Sequence, residues 1–429
     1  MNTASPFQRR AFLTTIGTGA AAVCLAPLHE VQAHFTRRLE ALTIDDRFVS
    51  LRNAYSLGEN VTYFNHASIG TMPRLVQEAR MKYLEVCETN PWLYMWGPAW
   101  DEQIDRTRAT VAEYIGCEVD ELAITHNTTE GFNTLAHGLP LGKGDEVLYS
   151  TMNHVGARVC WEHRAEEKGF TIRRFEFPIE RASIMMSDEI VARYLEQIRP
   201  ETRMLVIPHI DNMVGFRYPV KRLAAEAKRL GVEYVAVDGA QSIGLIPVNV
   251  GDLGVDFYAT STHKWVQSLK GLGLFYVRKE LQEILHPMWV TWGQSRYQGS
   301  ARIYEDYGTR NRPEMLTLED CVQFQNKLGT EAKEAYLRTL HAHFRDRVDE
   351  TEGLLWKSPR NWEDGCSIFA IEVLGSKSSD VSDFMFEKHG YVFRAFGGEL
   401  NALRMSVYVM NTIEEIDRCI DLVKNEFLR

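Results

Sequence analysis

Two stretches decide how this chain is read: Tyr234-Val235-Ala236-Val237-Asp238-Gly239-Ala240-Gln241 and Asp256-Phe257-Tyr258-Ala259-Thr260-Ser261-Thr262-His263-Lys264-Trp265. Each contains a short apolar run of strand length and ends in charged or hydroxyl-bearing residues. Runs that are apolar on both faces suit strands covered by helices on each side, and ligands of open α/β sheets gather where such strands end. A carboxylate buried without a partner is costly, so Asp238 either meets a cation or a hydrogen-bond donor, or caps the helix that follows it. Lys264 is either a surface lysine or an amine set at a strand end beside Ser261 and His263. In the second case a half-buried cationic setting lowers its pKa and lets it attack an aldehyde.

The pattern continues outward from both stretches. Between about Tyr63 and Arg278, apolar runs at Leu122–Thr125, Glu146–Ser150, Thr171–Phe177, Met204–Ile210, Glu233–Val237, Phe257–Thr260 and Leu272–Val277 alternate with helical patterns. The helix expected over Pro73–Cys87 has proline in its first turn and Leu75, Val76, Ala79, Tyr83 and Val86 on one face. A second, Asp101–Ile115, stops at Gly116. A third, Val220–Leu230, opens behind Pro219, carries Lys228 and Arg229 near its C-terminal end and stops at Gly231. Alternation of this length predicts an α/β fold with a mainly parallel, doubly wound sheet. From about Tyr307, long helices and a few strands predict a smaller α+β domain that ends in the amphipathic helix Ile413–Leu428.

Further polar residues stand where these runs end. The segment His126-Asn127-Thr128-Thr129-Glu130-Gly131 opens a helical pattern, so its amides and the Thr128 and Thr129 hydroxyls either cradle a phosphate or simply cap a helix. Ser261 and His263 can hold the same phosphate. Asn212, just beyond Met204–Ile210, and Gln241 can each reach a phenolic oxygen. His154 reads either as a ring that stacks on a cofactor and shuttles a proton or as a hydrogen-bonded surface histidine. A protonated pyridine nitrogen would answer Asp238, and that ion pair keeps such a ring an electron sink.

In this ordered set the sequence resembles the class V aminotransferase family of fold-type I pyridoxal 5′-phosphate (PLP) enzymes. That family includes cysteine desulfurases, kynureninase-like enzymes and isopenicillin N epimerase-like proteins. The resemblance runs from about Tyr63 to the C-terminus. It rests on Asn127-Thr128-Thr129-Glu130, His154, His209-x-x-Asn212-x-x-Gly215, Asp238-x-x-Gln241, Ser261-x-His263-Lys264, Gly308-Thr309, Arg404-x-Ser406 and Asn411-Thr412. It implies that Lys264 forms the Schiff base with PLP, that Asp238 faces the pyridinium, and that Gln241 and Asn212 lie near the phenolic oxygen. Thr128, Thr129, Ser261 and His263 would bind the phosphate, and His154 would cover the ring. Arg404 would clamp a substrate carboxylate, which its planar fork suits. Thr309 would reach the phosphate of the neighbouring subunit, so a homodimer is implied.

Two features depart from the desulfurase pattern. Desulfurases place a nucleophilic cysteine on a loop shortly before the carboxylate-binding arginine. Here Val392-Phe393-Arg394-Ala395-Phe396-Gly397-Gly398-Glu399-Leu400 holds Glu399 at that position, and Cys366 lies well upstream, which argues against persulfide chemistry. The second is the aromatic segment Pro91-Trp92-Leu93-Tyr94-Met95-Trp96-Gly97-Pro98-Ala99-Trp100. It suits a mouth for a large substrate, a dimer contact or plain core packing.

The N-terminus carries its own signal. Residues 1–33 contain Arg9-Arg10, then Phe12-Leu13, a small apolar run from Ile16 to Ala26, and Val31-Gln32-Ala33 at the spacing of a signal-peptidase site. This resembles a twin-arginine export signal, which implies passage through the twin-arginine translocase of a chain already folded around its cofactor, and a periplasmic location. The remaining organisation is expected as a segment 34–60 packing on the small domain, a large PLP-binding domain 61–306 and a small domain 307–429. Net charge is −10, which disfavours nucleic acid and anionic membranes as partners. The seven cysteines show neither CxxC nor Cys/His ligand spacing, so no metal site is expected; outside the leader six remain, and buried free thiols are the reading for most.

The resulting expectation is a periplasmic, homodimeric PLP enzyme that forms an external aldimine with an amino acid or a peptide-terminal amine, with Lys264 as acid/base at the α-carbon. Exported members of the family are associated with siderophore maturation, notably of the glutamate-derived group of pyoverdine. The competing readings are an epimerase or carbon–sulfur lyase acting on a free amino acid, and a catalytically silent scaffold. Which bond breaks is open, because deprotonation, decarboxylation and elimination start from the same species.

Overall fold

The apolar runs assemble into one sheet. The computed structural model describes residues 18–45, 48–292 and 294–428, so the Arg9-Arg10 motif lies outside the described residues. A short strand β1 (Thr62–Tyr63) is followed by β2 (Leu122–Thr125), β3 (Glu146–Ser150), β4 (Thr171–Phe175), β5 (Thr202–Pro208), β6 (Tyr234–Asp238), β7 (Phe257–Ser261) and β8 (Gly273–Val277). Strands β2 to β8 form a seven-stranded sheet of order β2-β8-β7-β6-β5-β3-β4. The β3–β4, β3–β5, β5–β6 and β6–β7 pairs are parallel, and β8 runs antiparallel to both of its neighbours. Every residue of β2, β3, β6, β7 and β8 is buried, as suits strands that are mainly apolar on both faces. This mainly parallel sheet is the α/β architecture that the alternating pattern predicts.

Local chemistry explains the helices around this sheet. The helix Asp101–Ile115 starts on Asp101 and Glu102, which suit its positive end, and buries Ile104, Val111 and Ile115. Each such side chain contributes about 1.5–3 kcal/mol when fully buried. The helix ends where Gly116 adopts φ 72°, a left-handed conformation open to glycine at no steric cost. The predicted helices at Pro73, Val220 and Ile413 appear as Arg74–Thr89, Val220–Arg229 and Ile413–Phe427. The last is held at its start by a reciprocal capping box between Thr412 and Glu415.

The C-terminal part adds β9 (Leu354–Trp356), β10 (Ile368–Val373), β11 (Tyr391–Val392), β12 (Arg394–Phe396) and β13 (Ala402–Ser406). Four of these make an antiparallel sheet of order β12-β13-β10-β9, while β11 pairs with β1 in parallel. The segment after β1 is stitched to β13: Ser406 N donates to Phe64 O at 2.7 Å, and Ala67 N donates to Ser406 Oγ at 2.9 Å. This brings the small sheet against the ends of the large one.

The helix Thr18–Glu40 runs through the expected cleavage site and buries Leu28, Val31, Phe35 and Leu39. It lies near the helix Arg74–Thr89, to which Arg38 is tied through Glu78 at 2.7 Å. Residues 48–55 meet the long C-terminal helices, with the Phe48 and Tyr336 ring centroids 5.2 Å apart. Among the described residues six cysteines are free thiols, all buried except the half-buried Cys117. No helix among the described residues is long and apolar enough to cross a membrane. The aromatic segment divides: Tyr94 and Trp100 are core, whereas Trp92 and Trp96 are exposed.

Candidate active site

The C-terminal ends of the parallel strands open onto a cavity of about 300 Å³. Asp238 is the last residue of β6, Ser261 the last of β7, and Lys264 lies in the turn that follows. Thr128, Thr129, His154, Asn212, Gln241, His263 and Arg404 line the same cavity, so of the residues given a cofactor or substrate role from the sequence only Thr309 stands elsewhere. Thr309 is exposed and lines a second cavity with Trp96, Trp292 and Arg310.

One end of the cavity is a nest of hydroxyls. Asn127 caps the helix Thr128–Gly138 by accepting from Glu130 N at 3.0 Å. Thr128 N donates to Ser261 Oγ at 3.0 Å, and the Thr128 and Ser261 hydroxyls lie 2.9 Å apart. Strand β8 approaches so closely here that a Cβ on Gly273 would sit 2.6 Å from Asn127 Cα. Gly156 leaves similar room, since a Cβ there would sit 2.6 Å from Thr129 Oγ1. His263 Nδ1 is buried with no hydrogen-bond partner, and burial, with Lys264 and Lys270 nearby, pushes the ring pKa down to about 4. Hydroxyls, a helix start and an orphaned ring nitrogen fit the phosphate of PLP.

The centre of the cavity holds Asp238 and Lys264. Asp238 accepts from Ala240 N at 3.0 Å, and no ion pair engages it among the described residues. A buried carboxylate in that state fits a pyridinium nitrogen. Burial brings Lys264 down to about 8; the Asp238 charge opposes this shift and Arg404 adds to it. Part of the amine is therefore neutral near pH 8, as nucleophilic capture of an aldehyde requires. His154 uses Nδ1 to cap its own helix, accepting from Gly156 N at 3.1 Å, and burial lowers its pKa, with Asp238 opposing. Gln241 lines the cavity, yet its amide bridges two neighbours: Nε2 donates to Ala67 O at 2.9 Å, and Oε1 accepts from Trp265 Nε1 at 2.8 Å.

Arg404 closes the far side. Its guanidinium donates to Asn212 O at 3.0 Å and to Asn65 Oδ1 and Ser68 Oγ, each at 2.6 Å, all neutral oxygens. Burial, with Arg394 adding, lowers its pKa to about 9, and the nearby Asp211 charge opposes this only in part. Asn212 sits on a turn built by buried Asp211, which accepts from Met213 N and Val214 N at 2.8 Å and from Phe216 N at 2.6 Å. Asn65, Ser68, Asp211 and Arg394 were not singled out in the sequence. Asn65 and Ser68 lie just after β1 in the mixed segment Phe64-Asn65-His66-Ala67-Ser68, which gives no local sign of their position.

Residues 62–419 match the aminotransferase class-V family, and the chain belongs to it. Its cofactor is pyridoxal 5′-phosphate, as the cavity chemistry requires. Similar curated proteins include an isopenicillin N epimerase from Amycolatopsis lactamdurans, 27% identical over 396 residues, covering 88% of this chain and 98% of the relative. A probable cysteine desulfurase from Pyrococcus abyssi is 25% identical over 397 residues, covering 87% of this chain and 96% of the relative. Among solved structures, the apo cysteine desulfurase of Thermococcus onnurineus NA1 superposes with a TM-score of 0.76 at 22% identity, over 90% of this chain and 99% of that one. A mutant of the cystine C–S lyase C-DES with glycine covalently linked to its PLP gives 0.77 at 21% identity, over 90% of this chain and 100% of that one. These structural likenesses carry the fold.

Proposed function

We propose that this protein acts at the α-carbon of an amino acid whose α-carboxylate Arg404 holds. The observation that carries the reading is the convergence of Lys264, Asp238 and Arg404 on one cavity. When bound, PLP supplies an aldehyde for covalent capture of an amine and a ring that accepts electrons from the α-carbon. Lys264 provides the amine that anchors the cofactor and afterwards takes and returns the α-proton. Asp238 holds the ring nitrogen protonated, and the hydroxyls of Thr128, Thr129 and Ser261 fix the phosphate end. Arg404, tied to Asn65, Ser68 and the Asn212 carbonyl, is already oriented before substrate arrives, which lowers the entropic cost of binding.

The substrate we propose is an amino-acid group on a peptide siderophore, specifically the glutamate-derived group of pyoverdine, modified after twin-arginine export to the periplasm. The leader composition and the exposed Trp92, Trp96, Trp289 and Trp292 support a large substrate met outside the cytoplasm. We also place Thr309 at the partner subunit's phosphate in a homodimer; its exposure beside the Trp96–Trp292 stack, with centroids 6.5 Å apart, supports this. No cysteine lines the cavity among the described residues, and Glu399 stands in the loop before Arg404, so persulfide transfer has no nucleophile. The second reading is epimerisation or carbon–sulfur lysis of a free amino acid. The likeness to isopenicillin N epimerase and the presence of His154 as a second proton carrier favour epimerisation.

The test is α-proton exchange. Holoenzyme in D₂O is incubated with free amino acids and with an acylated siderophore precursor, and deuterium at the α-carbon is followed by NMR. Wild type is expected to exchange it and Lys264→Ala to show none. Rapid exchange with free amino acids alone sinks the siderophore reading, and inversion of configuration establishes epimerisation. Protein supplied with PLP that shows no borohydride-sensitive absorbance and no exchange defeats the enzyme claim altogether.

A further inference from the structure

Arg394 and Arg404 are direct partners on the antiparallel pair β12–β13, so both side chains leave the same face of the small sheet. Both line the cavity that contains Lys264. Both also lie over the Phe396 ring, at 5.2 Å and 5.9 Å from its centroid. Like charges placed directly opposite each other in a sheet repel; the buried Asp211 charge favours the Arg404 cation, but no acid pairs with Arg394 among the described residues. Arg404 contacts only neutral oxygens, and no hydrogen bond or ion pair engages the Arg394 guanidinium among the described residues. Asp238 is the sole carboxylate among the lining residues, and the cofactor's ring takes it. A charge that merely guarded the exposed edge strand β12 would be better placed pointing away from Arg404.

The charges of the loaded site can then be followed one by one. Lys264 would hold the cofactor until a substrate amine displaces it and would then serve as the proton carrier, and the phosphate end would have its own donors in Thr128, Thr129 and Ser261. Arg404 takes the α-carboxylate, which leaves Arg394, more exposed than Arg404 and opposite it, facing an anion that neither cofactor nor protein supplies. We infer that Arg394 binds a second carboxylate of the substrate, so that the enzyme selects amino-acid groups bearing an acidic side chain. The inference rests on the proposed role of Arg404 and names the substrate class of that same site for a free amino acid, since a glutamate joined to a peptide through its side chain has no second carboxylate left. Arg394 is thus a specificity-determining residue. The planar fork suits a carboxylate in two parallel hydrogen bonds, which an amide of the same shape does not match.

The experiment titrates holoenzyme with L-glutamate and L-2-aminoadipate against L-glutamine and L-norleucine. The dissociation constant is read from the change in the cofactor's absorbance. Acids are expected to bind about tenfold or more tighter than their neutral partners. In Arg394→Ala the ratio falls to within about twofold, and Arg394→Lys, which keeps the charge but not the fork, restores part of it. Arg404→Lys weakens acid and neutral compounds together. Circular dichroism and thermal melts confirm that each variant is folded, as a change on an exposed edge strand should allow. A wild-type ratio near one, or a ratio unchanged in Arg394→Ala, overturns the inference while leaving the proposed function standing. A cofactor band that responds to no compound of either series removes the proposed function, and this inference with it.

Discussion

Gly70 donates its backbone N–H to the His263 carbonyl at 2.8 Å, and it packs so tightly on the next residue that a Cβ at position 70 would overlap the Lys264 carbonyl oxygen. The turn that presents the cofactor lysine is therefore shaped by a glycine far away in sequence. Gly70→Ala should push that turn aside, destabilising the protein by about 1–3 kcal/mol through overpacking. The same variant should lose most of its borohydride-sensitive absorbance when supplied with PLP. A Gly70→Ala protein that melts with wild type and loads normally would show that the turn tolerates displacement.

The lowered pKa of Lys264 has a kinetic signature. Below about 8 the amine is protonated and cannot attack, and above it the amine is neutral. Cofactor loading of the apoprotein should therefore speed up about tenfold per pH unit below that value and level off above it. Stopped-flow absorbance from pH 6 to 10 measures this. A profile still climbing steeply at pH 10 would mean an ordinary lysine.

Asp211 acts on the site through Asn212. Three backbone N–H groups depend on its carboxylate, and the turn they form carries the Asn212 carbonyl that Arg404 holds at 3.0 Å. Asp211→Ala leaves these donors unsatisfied, at about 1–3 kcal/mol for each that stays buried. With Arg404 released from one anchor, kcat/KM should fall about 100-fold, as misplacement of a positioning group does. Steady-state kinetics on a variant shown to be folded checks the second effect separately from the first.

A buried ion pair stabilises the region that carries Thr309. Arg108 reaches both oxygens of Glu305, at 2.8 Å and 2.5 Å, and Glu305 also accepts from Ile124 N at 2.7 Å. The pair joins the helix Asp101–Ile115 to strand β2 and to the segment before Thr309. Glu305→Ala leaves the Arg108 charge buried and uncompensated, so a loss of about 3–5 kcal/mol is expected in urea unfolding. Replacing both residues with apolar ones should recover much of it.

How much of this was legible in sequence depends on range. Asp238 and Ser261 end apolar runs and Lys264 closely follows one, so strand periodicity placed them near strand ends, and the ordered set of motifs gave them their roles. Strand limits moved by only one or two residues, as at β5, where Thr202–Pro208 replaces the expected Met204–Ile210. Arg394 was invisible because its meaning comes from the register of β12 on β13, which no local pattern specifies. Asn65 and Ser68 were hidden for the same reason, being brought to Arg404 by contacts across more than three hundred residues of chain. Gln241 was legible as a cavity residue, but its bridge from Ala67 to Trp265 depends on tertiary packing. The aromatic segment could not be resolved from composition because it does two things: Trp100 packs inside while Trp92 and Trp96 face outward.

Asp320 offers a last prediction, separate from the chemistry. In the uncleaved chain it is buried beneath the helix Thr18–Glu40, accepts from Tyr83 Oη at 3.3 Å and adjoins Glu319; burial raises its pKa to about 8. In the unfolded chain it titrates near 3.8. Below that pH both states carry the proton and the residue costs nothing. Between about 4 and 8 the folded state keeps a proton that the unfolded state releases, so stability falls as pH rises, and the full cost is present above 8. Asp320→Asn removes the titrating group while keeping the size and an acceptor for Tyr83. The variant should therefore match wild type near pH 4 and exceed it by a few kcal/mol at pH 9, read as a difference in unfolding free energy. Equal stability gains at both pH values would trace the effect to packing instead of to a neutral carboxyl group.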